Sequence, residues 1–236
     1  MPRHLISDAH EWINEIPTVP IYSTMASRAQ VKILQANLQR KRIASTELLD
    51  KALRENATAL LIQEPYTYLN KVANFGRYDN KVITGNKVDE QPWAAIVLLD
   101  PAYTATLLTQ LSCSHCVCAH ITGPVKDFYL VSQYYQYSHD VQVHLVKTER
   151  ILRSIKSKRI LIGGDFNGVS PLWSDKVTAP DEVGAKIEDL IAQHNLIALN
   201  EAGQPSTFEK GRRDIDITFV RPEFLKTIAT WTVQED

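Results

Sequence analysis

The sequence predicts an α/β fold, with mixed β-sheets packed as a sandwich and helices outside. Three observations predict it. Strand signals outnumber helical ones along the chain. The helical segments fall between runs of strands, which places them on the faces of sheets. The chain has 236 residues, 44% of them hydrophobic, enough for one large domain with a real core or at most two small ones.

Residues 1–30 read differently from the rest. They hold Pro2, Pro17 and Pro20, keep no sustained period, and finish on small and polar residues at 23–27. They are expected to be an N-terminal extension outside the fold, and 31–236 to be the domain. From Val31 the pattern changes. VKILQAN alternates as a strand does and ends on a polar residue. STELLDKALREN follows as a helix, with Ser45 as its N-cap and Leu48, Leu49 and Leu53 at helical spacing. ALLIQEP is a second strand with a polar end. KVITG, WAAIVLLD, TATLLTQL, HCVCAHI and DFYLVSQYY are five further strand signals. A helix fits 141–155, with Val141, Leu145, Leu152 and Ile155 on one face. RILIGGDFN is a buried strand running into a polar turn, and another helix fits 183–194. LIALN, DIDITFV and TIATWTV are the last strands. No internal repeat, low-complexity tract or linker interrupts the chain after residue 31.

Charge and cysteine content narrow the classes. The net charge is −1, so no global basic field marks a nucleic-acid binder. Any contact with phosphate must come from local clusters: Arg40-Lys41-Arg42, Lys156/Lys158/Arg159 or Lys210/Arg212/Arg213. Each of these, alone, reads first as a solvated surface. Cys113, Cys116 and Cys118 are three cysteines in one short stretch, which is no disulfide framework and fits a reducing compartment. CSHCVCAH is poorly spaced for zinc, because Cys116, Cys118 and His120 fall on one face of a strand. The sequence contains neither a membrane-length apolar run nor a signal-peptide core, so an intracellular protein is expected.

Four predicted strands deliver acids or amides at their ends: Asn37, Glu64, Asp165 with Asn167, and Asp216. Apolar strands that bring hard oxygen donors to one rim of a sheet can build a Mg²⁺ site, since that ion keeps several waters and needs few carboxylates. Taken singly, an acid after a strand is more often a loop residue or a cap. GGDFN is the exception: two glycines are expected to let the backbone turn tightly, so that Asp165 and Asn167 converge on one point.

QAN, IQEP, VSQYYQYS, GGDFNGVSPLW, PSTF and DIDITFV, in this order, resemble the endonuclease/exonuclease/phosphatase superfamily. Within it, they are most similar to the apurinic-endonuclease-like domains of non-LTR (LINE-type) retrotransposons. YYQYS and SPLW look most like the lineages that insert into ribosomal RNA genes or telomeric repeats. The resemblance covers roughly residues 31–232. It implies a four-layered α/β sandwich, two mixed sheets face to face with helices on both outer faces. It also implies Mg²⁺-dependent nicking of double-stranded DNA, with Mn²⁺ as the substitute ion. The nick would leave a 3′-OH that primes reverse transcription. A reverse transcriptase domain is the implied partner in the full element, ribosomal DNA an implied target, the nucleus the place of action, and no membrane is involved.

Roles carry over by position. Glu64 matches the metal-binding glutamate and Asn37 the asparagine that supports the metal. Tyr134 matches the tyrosine that contacts the scissile phosphate; without the resemblance it reads as a packing residue. Asp165 matches the residue that orients or deprotonates the attacking water, and Asn167 its phosphate-positioning partner. Asp216 matches the acid that holds a catalytic histidine, with Asp214 as its competitor for that role; the flanking isoleucines of IDIT favour Asp216. Arg40, Lys41, Arg212 and Arg213 are the expected DNA-binding cations. Trp173 is expected to pack beneath the active-site loop, and Asn200, Ser206 and Thr207 to shape the turn before DIDIT. The loops at 66–80 and 174–183 are candidates for target choice.

Two departures stand out, besides Gln39 at a place where relatives carry an acid. The superfamily closes its site with Ser-Asp-His beyond a strand holding a tryptophan like Trp231, whereas this sequence runs to WTVQED. None of His4, His10, His115, His120, His139, His144 and His194 lies in a matching context. Little or no nicking by this chain alone is therefore expected, together with an unpaired sheet position. Secondly, MPRHLISDAHEWINEIPTVPIY resembles a conceptual translation of the large-subunit ribosomal RNA gene. That implies host sequence read through over residues 1–22, poorly ordered, with an ordinary disordered leader as the competing reading. The other functional readings are a non-catalytic retrotransposon remnant and a phosphoesterase acting on lipid or inositol phosphates.

Overall fold

A computed structural model of the chain describes residues 30–208 and 213–234 in full and the backbone of 3–9. In chain order the elements are β1 (Arg3–Ala9), β2 (Val31–Asn37), α1 (Arg42–Arg54), β3 (Ala59–Gln63), β4 (Thr67–Tyr68), β5 (Lys71–Val72), β6 (Val82–Ile83), β7 (Ala94–Leu98), β8 (Thr104–Leu107), β9 (Cys116–Thr122), β10 (Phe128–Tyr134), α2 (Val141–Ser154), β11 (Ile160–Asp165), α3 (Glu182–His194), β12 (Ile197–Ala198), β13 (Asp216–Val220), α4 (Pro222–Leu225) and β14 (Ile228–Gln234).

Two six-stranded sheets form the frame, in the orders β14-β1-β2-β3-β7-β6 and β12-β13-β11-β10-β9-β8. Each contains one parallel pair, β2 with β3 and β10 with β11, among antiparallel neighbours. A parallel pair needs a crossover, and α1 and α2 supply them. Each helix carries an apolar stripe that must be buried, so it lies on the outer face of its own sheet. Under α1, Leu48 and Ala52 pack with Leu34, Leu60, Ile62 and Val97. Under α2 and α3, Leu145, Ile151, Ile187 and Leu190 pack with Val131, Ile162 and Phe219. Between the sheets lies the largest cluster, with Leu61, Ile96, Val117, Leu130, Leu161 and Trp231. The layers are therefore helix, sheet, sheet, helices, as the resemblance implies.

The alternation of β2 explains its two partners. Ile33 faces the opposite sheet, while Leu34 and Ala36 face α1. Gln35 breaks the apolar inner face: it is fully buried, and its amide donates across the sandwich to Gly164 O at 3.1 Å. Gly163 and Gly164 lie inside β11 and do not form the tight turn expected of them. A Cβ at Gly163 would collide with the Gln35 side chain, and one at Gly164 with the Gln133 carbonyl of β10. The two glycines thus serve close approach. The Gln133 carbonyl is backbone and cannot yield without loss of the parallel ladder. Gly164→Ala is therefore expected to lower stability by about 1–3 kcal/mol; a denaturant midpoint equal to wild type would contradict this.

Two expectations are corrected. Arg3–Ala9 is not outside the fold: β1 lies between β2 and β14, antiparallel to both. Two neighbouring strands with unpaired backbone edges are both satisfied by one inserted strand, which fills the sheet position expected to stay unpaired. The rest of the expected extension up to residue 29 lies outside the described residues. The first helix also starts earlier than Ser45. Gln39 and Arg40 take left-handed φ of 47° and 58°, turning the chain so that Lys41 becomes the N-cap and Ser45 is buried within α1. Among the described residues no helix is long and apolar enough to cross a membrane.

Candidate active site

The strand ends carrying polar residues meet at one end of the sandwich. β2 and β3 bring Asn37 and Glu64 from one sheet; β10, β11 and β13 bring Tyr134, Asp165 and Asp216 from the other. These five, with Asn167, line a cleft of about 350 Å³. The Asn37 amide is its centre. It donates to Glu64 Oε1 and to Asp165 Oδ2, each at 2.8 Å, and so holds a carboxylate from each sheet on one nitrogen. The backbone N–H of Gln39 donates to Asn37 Oδ1 at 2.8 Å, which fixes the orientation of the amide.

The backbone is bent to serve this arrangement. Glu64 and Asn167 have φ of 46° and 50°, a region that costs a side-chain-bearing residue of order 1–3 kcal/mol. Glu64 is held there by its N–H to Trp93 O at 2.9 Å and its carbonyl to Arg40 N at 2.8 Å. Asn167 N donates to Asp165 Oδ1 at 3.1 Å, and Asn167 Nδ2 to Tyr135 O at 2.9 Å.

Asp165 and Asp216 oppose each other directly in the β11–β13 ladder. Burial raises the Asp165 carboxyl well above the usual carboxylate range, and the charge of Asp216 pushes it the same way. Burial also raises the Tyr134 phenol, with Glu64 and Asp165 adding to the effect, so it acts as a neutral hydrogen-bonding group. Its ring stacks on Trp93 at 5.6 Å between centroids, and the Arg40 guanidinium lies over the Trp93 ring, 4.6 Å from its centroid.

The competing acid Asp214 is engaged elsewhere. It accepts from Ser174 Oγ at 2.6 Å, from Thr207 N at 3.1 Å and from Lys176 Nζ at 3.0 Å. It ties the 170–176 loop to β13, with Trp173 Nε1 donating to its carbonyl at 3.1 Å and the ring buried beneath. Thr207 Oγ1 accepts from the N–H groups of Ile215 and Asp216, and Asn200 Nδ2 donates to Asp216 O at 2.9 Å. Of the expected DNA-binding cations, Arg40 stands beside the cleft. Arg213 lines it while paired with Asp181 at 3.0 Å, and Lys41 is exposed at the start of α1. Arg212 lies outside the described residues.

The donors suit a hard cation. Among the described residues no group of three or more His, Cys, Asp or Glu side chains is arranged to hold a metal ion. Mg²⁺ asks for less, being bound through one or two carboxylates with water and substrate phosphate. Glu64, gathered with Asp165 on the Asn37 amide, provides that. The cysteine stretch offers no such donors: burial pushes Cys118 up to about 12 and Cys116 well above its usual value, and both pack in the core under α2. A thiol held protonated in that way is a poor zinc ligand.

Sequence reasoning missed Gln35, Trp93, His115 and His144. Gln35 had a signal, a polar residue on an otherwise apolar strand face. The other three meet only in space. His115 stacks on Trp93 at 5.7 Å, and His144 stacks on Tyr135 at 5.0 Å. His144 Nε2 accepts from Gln136 N at 3.3 Å, which requires the neutral ring. Burial, with His115 and His139 nearby, pulls its pKa down to about 4. Its contribution to stability is therefore present above the ordinary histidine value and lost as pH falls through about 4. Acidification from pH 7 to 4 is expected to remove about 3 kcal/mol through this group. His144→Phe should flatten that limb of a stability–pH curve, and an unchanged slope would contradict it.

The arrangement agrees with known proteins. The family described as Endonuclease-reverse transcriptase matches residues 128–236. The putative 115 kDa protein in type-1 retrotransposable element R1DM of Drosophila melanogaster is 26% identical over 223 residues, 86% of this chain and 20% of that protein. The retrovirus-related Pol polyprotein from type-1 retrotransposable element R1 of Bradysia coprophila is 27% identical over 151 residues, 61% of this chain and 15% of that protein. The chain thus spans a fifth or less of the length of these curated relatives. The solved endonuclease domain of TRAS1, a telomere-specific non-LTR retrotransposon, superposes with a TM-score of 0.76 at 30% identity, covering 87% of this chain and 91% of that one. With its two mixed sheets and its carboxylates gathered at one end, the chain belongs to the non-LTR retrotransposon endonuclease domains of the endonuclease/exonuclease/phosphatase superfamily.

Proposed function

We propose that this endonuclease domain nicks one strand of double-stranded DNA, with Mg²⁺ or Mn²⁺ bound at Glu64, and leaves a 3′-OH that primes reverse transcription. The observation that supports it most is the Asn37 amide joining Glu64 and Asp165 across the two sheets. A bound Mg²⁺ supplies neutralisation of the phosphate charge and stabilisation of the departing oxygen. The chain's own residues account for the rest. Asp165 orients the attacking water and takes its proton, a task that suits a carboxyl raised towards neutrality. The Asn167 amide and the Tyr134 phenol donate to phosphate oxygens as charge builds on them. Arg40, Lys41 and Arg213 grip neighbouring phosphates, with Arg212 in the same segment. Such contacts position DNA without reading its sequence.

The names of the relatives, a Pol polyprotein and a family described as Endonuclease-reverse transcriptase, support a reverse transcriptase as partner in the full element; ribosomal DNA as target and the nucleus as the place of action rest on the sequence resemblance alone. Supercoiled plasmid carrying ribosomal DNA, incubated with Mg²⁺, is expected to become nicked, and a DNA polymerase should extend the nick without further processing. Chelation with EDTA should stop the reaction. Nicking that persists in EDTA, or ends that a polymerase cannot extend, would sink this reading.

A further inference from the structure

The Tyr134 phenol can serve the cleft only if the plane of its ring is held. It stands at the end of β10, where its hydroxyl donates to the Glu64 carboxylate and burial keeps it neutral. A phenol swings with its ring, and a donor that misses the phosphate by a small distance loses most of its value. Three rings lie nearly parallel here. Trp93 and Tyr134 are inclined by 15° with centroids 5.6 Å apart, Trp93 and His115 by 18° at 5.7 Å, and His115 and Tyr134 by 6° at 6.2 Å.

Trp93 joins this group to the rest of the site. It is half-buried, immediately before β7, and the described lining of the cleft does not include it, so whatever it does there it does through its neighbours. Its N–H donates to Ser114 O at 2.7 Å, and Tyr134 N donates to the next carbonyl along, His115 O, at 2.9 Å. Consecutive carbonyls thus seat the two rings side by side. The Trp93 carbonyl accepts from Glu64 N at 2.9 Å, which ties the same residue to the metal-side glutamate. The Arg40 guanidinium lies over the indole, a cation on the electron-rich face of the ring. Trp93 and Arg40 come from the ends of one sheet, Tyr134 and His115 from the other. One indole therefore links a cation and a phenol across the sandwich, much as the Asn37 amide links two carboxylates.

We propose that Trp93 is a positioning residue of this nuclease: its indole fixes the plane of the Tyr134 ring, so that the phenol meets the scissile phosphate, and holds the Arg40 guanidinium ready for a neighbouring phosphate. The inference rests on the nuclease reading above. The competing reading is that the indole only fills space at the rim of the sandwich. The two readings ask different things of the side chain. Filling space requires volume, whereas positioning requires a flat ring and acts only through the Tyr134 hydroxyl and the Arg40 charge.

The test uses the full chain in excess over supercoiled plasmid with Mg²⁺, and reads the nicking rate at saturating protein and the half-saturating concentration. Trp93→Leu and Trp93→Met remove the ring and keep an apolar side chain, while Trp93→Phe keeps a ring. Thermal melts establish which variants are folded. The ringless variants are expected to be about 10–10²-fold slower at saturation, the size of loss that a misplaced group causes, and Trp93→Phe to recover most of the rate. In a Tyr134→Phe background Trp93→Leu should slow the reaction no further, because the hydroxyl that the indole aims is already gone. Its effect on half-saturation should likewise not add to that of Arg40→Ala. If folded ringless variants nick like wild type while Asp165→Ala is inactive, the nuclease reading stands and the role of Trp93 falls. A loss that multiplies with Tyr134→Phe, or that Trp93→Phe shares in full, makes the indole a space-filling residue and overturns the proposal, as does failure of both ringless variants to fold. Half-saturation effects that multiply overturn its Arg40 half. Absence of nicking by wild type overturns the nuclease reading and, with it, the role of Trp93.

Discussion

Asp165→Asn is expected to abolish measurable nicking and, in the absence of metal, to make the protein more stable. Both effects follow from the same environment. Asp165 is 4% exposed and faces Asp216 across the β11–β13 ladder, so the ionised form is disfavoured by burial and by a like charge. A carboxyl whose folded pKa is raised contributes stability below its unfolded value and loses it as pH rises through the folded one. At neutral pH the wild-type domain therefore carries that penalty. The asparagine has no charge to bury, and its single oxygen can still accept one of the two hydrogen bonds that Asp165 takes on separate oxygens, from Asn37 or from Asn167 N. A gain of about 0.5–2 kcal/mol is typical when an active-site residue of this kind is neutralised. Removing the base costs on the order of 10²–10⁴ in rate. Wild-type nicking should also rise with pH as Asp165 ionises. Thermal melts in EDTA and nicking from pH 5 to 9 measure both effects. A variant that melts below wild type, or one that keeps nicking, would contradict the assignment.

Asn37→Asp tests the other half of the site. The substitution keeps the shape of the side chain and removes both donated hydrogen bonds. Glu64 and Asp165 then lose their common donor and face a third carboxylate. Loss of one such preorganised contact typically costs about 10²–10³ in rate. The added negative charge should also make activity depend more steeply on Mg²⁺, because the ion would then be required to hold the acids together. Stability without metal should fall, in contrast to Asp165→Asn. The two variants thus move stability in opposite directions while both lose activity. A Mg²⁺ titration superimposable on wild type would show that the bridging amide has no part in the reaction.

Much of this site could be read along the chain. Apolar strands ending in Asn37, Glu64, Asp165 and Asp216 are local patterns, and the inner and outer faces of β2 follow from alternation alone. Asp216 lines the cleft, while the Asp214 carboxylate accepts from three donors, Ser174, Lys176 and Thr207, in the loop behind it. The start of α1 was misplaced because Ser45 looks like a cap, whereas two left-handed residues after β2 had already turned the chain.

By itself, then, the sequence determined the class of fold, the order of its strands and the residue types that reach the rim, because those depend on period and on neighbours a few positions away. Only the tertiary structure decided what they meet. That one amide bridges two sheets, that Gly163 and Gly164 make room for Gln35 and for the β10 backbone, and that Trp93 stacks on Tyr134 are contacts between residues far apart in sequence. β1 is the clearest case. RHLISDA has too little pattern to announce a strand, and it becomes one because β2 and β14 leave a gap whose backbone groups it satisfies on both sides.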